Sequence, residues 1–230
     1  MKIAVFAFSQ TGQLTDILNN FTRPLSGHQV DHFSIEPVQP YPFPWPGFDF
    51  FNVMPDCVLE KPATIKPFTA DLAVYDLFVI GYQPWFLSPP PPVTALLTDS
   101  KVKQALSGKP VITVIGSRNM WINSQKIVEK MIGDAGGKMV ANIPLIDRNS
   151  NMVSAATIVY WMLTGKKDRM FGIFPKPGIN NDDILGAKDF GLVVKTAIDK
   201  GDVAGLQESI LATKKIGIGT DILFIEKRAK

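Results

Sequence analysis

The opening stretch MKIAVFAFSQTGQLTDIL, Met1 to Leu18, decides how the rest of the chain is read. Lys2 to Phe8 is a nearly continuous apolar run, the pattern of a strand covered on both faces. It passes through Ser9, Gln10, Thr11, Gly12 and Gln13 directly into a helical pattern that begins near Leu14. The first N–H groups of a helix have no intrahelical partner, and the helix dipole places partial positive charge there. An oxyanion is therefore favoured at such a turn. Ser9 and Thr11 add hydroxyl groups, and Gly12 permits a tight turn without a side chain in the way. The turn holds no lysine or arginine, which fits a terminal phosphate monoester held by neutral donors. It has neither the GxxxxGK[ST] pattern of a triphosphate loop nor the GxGxxG pattern of a dinucleotide fold. Alone, SxTG is weak evidence, because Ser and Thr ahead of a helix are ordinarily N-caps.

Three more segments read as doubly covered strands: Tyr75 to Tyr82, Pro110 to Gly116 and Lys138 to Leu145. His28 to Ile35 alternates more weakly and fits a strand near the sheet edge. Helical spacing runs over Leu14 to Phe21, over Pro92 to Leu106 with a break near Asp99, and over Asn123 to Ala135, which stops at Gly136 and Gly137. Strand and helix alternate, so the expected fold is α/β: right-handed βαβ units in a three-layer, doubly wound parallel sheet of about five strands.

Two segments break this rhythm. Residues 36–66 contain PVQPYPFPWPGFDFFNVMPD, where so many missing backbone donors exclude a long helix or an interior strand. Tyr41, Phe43, Trp45, Phe48, Phe50 and Phe51 argue against disorder, so this insertion is expected to be either a lid over the body or part of a homodimer surface. Beyond Asp147, helices are expected at Val153 to Thr164, Asp183 to Lys200 and Asp202 to Lys215, with a turn-rich connector between the first two. At 230 residues the chain is expected to be one domain, 1–230, with the insertion and a mainly helical extension from 151 to 230.

Composition narrows the function classes. A hydrophobic fraction of 46% with 20% charged residues is that of a globular protein, and no apolar run is long enough to span a bilayer. The first apolar run stops at Ser9 with no small-residue cleavage site after it, so a buried strand and a cytoplasmic protein are expected rather than a secretory signal. One cysteine, Cys57, and two histidines make a disulfide or a soft metal site unexpected. The net charge is only +3, and the short basic runs at Lys166 to Arg169 and Glu226 to Lys230 read as solvated surface, not as a nucleic-acid interface.

The weight given to the first turn comes from two further loops. After the Tyr75 strand comes GYQPWFLSPPPPV, with Pro84, Trp85, Phe86 and Leu87 just past its carboxyl end, where ligands sit in open α/β sheets. Trp85 and Phe86 offer a flat apolar wall for a fused-ring ligand. After the Pro110 strand comes GSRNMWINS, where Gly116, Ser117 and Asn119 offer polar groups and Met120 or Trp121 an apolar surface. For each aromatic taken singly, ordinary core packing is the competing reading.

The FSQTGQL segment resembles the phosphate loop of the flavodoxin superfamily: an aromatic residue, Ser or Thr, two residues, Gly, a polar residue and Thr. Ser9, Thr11 and Gly12 match, Gln13 stands where Asn is common, and Leu14 replaces the final Thr. The resemblance implies FMN as cofactor, with its phosphate at residues 9–14 and its ring between residues 84–87 and 116–121. Leu14 removes one hydroxyl contact while keeping its N–H. The PWF segment also resembles flavin-dependent quinone reductases. Over most of the chain, SQTGQL, the Phe43 to Phe48 segment, IPLIDRNSNMVS and YWMLTGKKDR are similar to proteins labelled dialkylresorcinol condensing enzymes. That similarity implies an oxidoreductase acting on a lipidic cyclic diketone, which loses two hydrogens to become aromatic.

Asp147, His28 and Tyr160 are loose candidates for a general base, none with a partner at motif spacing, so no catalytic residue is assigned. Three alternatives stay open: an NAD(P)H-dependent quinone reductase, a flavodoxin-type electron carrier, and a non-catalytic scaffold that has kept only the fold. A sequence pI near 8.9 weighs against the carrier, since such proteins are usually acidic.

Overall fold

The computed structural model describes residues 1–216 except Phe48 and Asn119, with Asn151 described by its backbone alone. The basic tail at Glu226 to Lys230 lies outside that range. Five strands form one wholly parallel sheet: β1 (Lys2–Ala7), β2 (Gln29–Ser34), β3 (Leu77–Tyr82), β4 (Pro110–Ser117) and β5 (Lys138–Ile146), in the order β2-β1-β3-β4-β5. Ile3 lies between Val30 and Leu77, so β1 is flanked on both sides by apolar strands, as its unbroken hydrophobic run requires.

Alternation along each strand divides the core into two halves. Ile3, Val5, Leu77, Val79, Ile112, Val114 and Ile143 belong to the half covered by α1 (Gln13–Thr22). Phe6, Phe78, Ile80 and Val111 belong to the other, covered by α4 (Pro91–Thr98), α5 (Ser100–Leu106) and α6 (Ile122–Asp134). The expected break at Asp99 separates α4 from α5: its extended backbone ends one helix while its carboxylate accepts the N–H groups of Lys101 and Val102 to start the next.

Among its described residues the insertion holds two short helices, α2 (Asp49–Asn52) and α3 (Met54–Val58), in keeping with its proline content. Beyond β5 come α7 (Asn151–Thr164), a connector, α8 (Asn181–Lys200) and α9 (Leu206–Ala212). The helix expected from Asp202 begins four residues later, because the Asp202 carboxylate accepts the Gly205 N–H and holds a turn there. α8 lies beside α1, with Phe190 and Val194 in the same half of the core as Ile17 and Phe21.

The α1–α8 contact depends on a missing side chain. A Cβ on Gly191 would stand 2.0 Å from the Phe21 carbonyl oxygen, whereas one on Gly186, in the same helix, would meet nothing within 4 Å. Gly191→Ala is expected to lower the free energy of unfolding by roughly 2–3 kcal/mol. Gly186→Ala is expected to raise it by about 0.5–1 kcal/mol through helix propensity. Urea titration reads both, and an unchanged midpoint for Gly191→Ala would show that the two helices do not approach this closely.

Candidate functional site

The turn after β1 has the features an anion needs. Gly12 is left-handed, with φ 81°, and its carbonyl accepts the Asp16 N–H at 3.1 Å to begin α1. No side chain caps the helix, so neither Ser9 nor Thr11 is the N-cap that such residues usually are. Among the described residues the Ser9 hydroxyl is buried without a partner, and so is the Gln10 side-chain oxygen. The Gln10 amide nitrogen donates to the Pro42 carbonyl at 2.9 Å and ties the turn to the insertion. Leu14, where the resemblance expects a hydroxyl, is buried in the core beneath the turn.

From this turn a cavity of about 430 Å³ extends over the carboxyl ends of the strands, a size typical of small-molecule sites. Thr11 and Gln13 line it at one end. The loop after β3 contributes Gln83 and residues 84–87, and the loop after β4 contributes Gly116, Ser117, Arg118 and Met120. The three loops singled out in the sequence therefore meet on one space. Trp121 is not on its wall: it is buried in the core at the start of α6. Asn119 lies outside the described residues.

The loop after β3 has an unusual backbone. Trp85 and Ser88 exchange both N–H···O=C bonds at 2.9 Å, and Phe86 and Leu87 between them have φ of 49° and 62°. Two left-handed residues in succession make a type I′ turn, which favours Asn-Gly; here each bulky residue costs roughly 1–2 kcal/mol. Packing holds them in place. Phe86 lies 4.8 Å from Phe50 of the insertion, and Trp85 meets Phe8, Tyr41 and Trp45 edge-on at 5.2–5.9 Å. Strain of this kind concentrates where a wall must be presented to a ligand.

A part of the roof that no sequence pattern announced comes from α7. Ala155, Ile158, Val159, Trp161 and Met162 of α7 line the cavity, facing the strand ends. The insertion closes against the same helix: Trp45 N–H donates to the Met162 carbonyl at 2.8 Å, and the rings of Phe43 and Trp161 meet edge-on. The lid expectation for residues 36–66 thus has α7 as its second half. Gln13 fastens the connector: its amide nitrogen donates to the Ile179 carbonyl and its oxygen accepts the Ile179 N–H, both at 3.1 Å. At Gly178, φ is 81° and a Cβ would fall 2.7 Å from the Gln13 oxygen, so glycine is required.

Charged groups near the cavity are few. Burial lowers the pKa of Arg118 from its usual value, against the opposing pull of Asp147, and the guanidinium remains a cation. Lys167 sits 5.3 Å above the Trp161 ring, and its pKa is lowered by burial while Asp16 of α1 opposes the shift. None of the loose base candidates lines the cavity. Asp147 is buried with one oxygen accepting from Asn149 and the other from Ser154, so it pins the β5–α7 turn. His28 pairs with Asp199 and Tyr160 donates to Asp168. Arg148 forms a surface ion pair with Asp183. Among the described residues no group of His, Cys, Asp or Glu is placed to hold a metal, and no helix is long and apolar enough to cross a membrane.

Removing the Gln13 fastening isolates its contribution. Gln13→Ala is expected to raise hydrogen exchange at the Ile179 amide about tenfold or more, for a local loss of about 1–2 kcal/mol. Exchange unchanged at Ile179 would mean that the connector is held by something else.

No protein-family model matches the chain, and no curated protein matches it. Solved structures do. A candidate flavoprotein from Bacteroides eggerthii superposes with a TM-score of 0.51 at 24% identity, over 69% of this chain and 96% of that one. A second candidate flavoprotein, from Bacteroides uniformis, gives 0.49 at 18% identity over 70% and 97%. A flavoprotein in complex with FMN from Lactobacillus acidophilus gives 0.47 at 13% identity over 62% and 92%. At such identities the likeness is one of architecture, and it agrees with the strand order and layering: this chain has the flavodoxin-like α/β fold.

Proposed function

We propose that the chain is an FMN-dependent oxidoreductase whose substrate is a small planar dione or quinone with apolar substituents. The observation that carries this reading is a single roofed space running from the uncapped start of α1 to walls of aromatic and aliphatic side chains. The residues present fit FMN. The free N–H groups at the start of α1, Thr11 and the partnerless Ser9 hydroxyl would hold the phosphate, and residues 83–87 with 116–120 would flank the ring. Lys167 adds a positive charge from the connector that the turn itself lacks. When bound, FMN supplies the two-electron chemistry.

The chain's own contribution is enclosure and orientation. Ala155, Ile158, Val159 and Met162 form an apolar cover that excludes water from the strand ends and suits the flank of an alkylated ring. The cyclic diketone implied by the resemblance and a quinone make the same demand on this wall. An electron carrier instead needs its ring edge open to a docking partner, and the roof and the basic pI both weigh against that role.

Titration of the purified chain with FMN is expected to quench flavin fluorescence to a one-to-one endpoint. Gly12→Val, which forces a β-branched residue to a left-handed φ, is expected to weaken FMN binding at least about tenfold with little change in far-ultraviolet circular dichroism. If the unmodified chain leaves FMN fluorescence untouched, the redox reading fails and the fold alone remains.

A further inference from the structure

Exposed apolar side chains also occur on the outer side of the roof. Over its 14 residues α7 contains no charged side chain, although it lies at the surface. Its inner residues line the cavity, yet Met152 is 82% exposed and Leu163 37% exposed, with Ala156 also exposed between them. Positions 152, 156 and 163 share one face of a helix, so among the described residues this face is apolar and exposed. A soluble surface seldom leaves such a face without a purpose.

The connector that follows α7 in the chain carries a second exposed apolar pair. Phe171 is 76% exposed and Ile173 77% exposed, the two flanking Gly172 at the tip of the loop. Phe171 and Gly172 are both left-handed, with φ of 53° and 74°, a conformation disfavoured for phenylalanine. Lys166, Arg169 and Lys176 are exposed on either side of this tip. Between Lys166 and Lys176 there are four cations and one carboxylate, that of Asp168, so this short segment carries a net charge equal to the +3 of the whole chain. The two feet of the loop are parts of the cavity wall, Trp161 on one side and Gly178 with Ile179 on the other.

We propose that the outer face of α7 and the Phe171–Ile173 tip form a docking surface for an anionic lipid bilayer, which holds the cavity mouth against the membrane. Protruding apolar side chains enter the interfacial layer while flanking cations meet acidic headgroups, and each term strengthens the other. Charge decides between this partner and a second copy of the chain. A two-fold dimer through this face would bring the cations of both copies together without a compensating patch. A nucleic acid would pair with the cations but leave Met152, Leu163 and Ile173 against phosphate or water. The inference does not depend on what the cavity binds.

Cosedimentation of the full chain with vesicles tests it. At ~0.1 M salt the chain is expected to bind vesicles containing about a third phosphatidylglycerol at least tenfold more tightly than pure phosphatidylcholine. The pairs Phe171→Ser with Ile173→Ser, and Lys166→Glu with Arg169→Glu, are each expected to reduce that binding tenfold or more while leaving the thermal midpoint and FMN affinity as they were. Phe171→Trp, a mild exchange at an exposed site, is expected to shift its emission to the blue on adding the anionic vesicles. Equal affinity for the two vesicle types, undiminished binding by the paired variants, or an unshifted emission overturns the proposal. So does a chain that ignores vesicles but dimerises through Phe171, or that binds an oligonucleotide instead.

Discussion

Parallel strands all finish at the same edge of a sheet, and in this chain that constraint governs everything at the site. β1 lies between β2 and β3, so the segments leaving β1 and β3 turn to opposite faces. One goes to the layer of α1 and α8, the other to the layer of α4 to α6. Their divergence opens a crevice that the sheet cannot fill with its own side chains. The turn after β1, the strained aromatic loop and the turn after β4 all border it because the backbone pairing leaves them nowhere else to go.

A crevice of this kind is shallow, and the depth here is added by two segments that the sheet does not need. The insertion brings a set of rings to Trp85, which is in contact with Phe8, Tyr41 and Trp45, each such pair contributing about 0.5–1.5 kcal/mol beyond area burial. Burial pushes the Tyr41 phenol up to about 12, so it remains protonated and serves as packing. The same rings hold Phe86 and Leu87 in a backbone geometry they would not choose. Gln13 has a double position in this arrangement. Its backbone opens α1, while its side chain binds the connector returning from α7.

Much of the architecture was legible because it rests on local signals. The five strands lie within two residues of where their apolar runs end, and Asp99 announces a helix break through its own capping chemistry. That the three loops after β1, β3 and β4 border one cavity followed from strand ends. What was not legible depends on partners far apart in the chain. Gln13 and Ile179 are 166 residues apart, and no spacing rule links them. α7 reads as an apolar helix, but which of its faces looks inward is settled only by where the strands end. Trp121 showed the opposite limit: an aromatic in the right loop, turned into the core because α6 begins at the next residue.

The hydrogen bond from Trp45 to Met162 joins segments that leave the ribosome at widely separated moments. At ordinary rates of translation the helix arrives on the order of ten seconds after the ring-rich segment it meets. β3, β4 and β5 emerge within that interval, so in its last part the strand ends stand together with half their cover in place. Whatever the cavity takes up would thus have a window for admission early in the life of each polypeptide, before the second half of the cover narrows the way in.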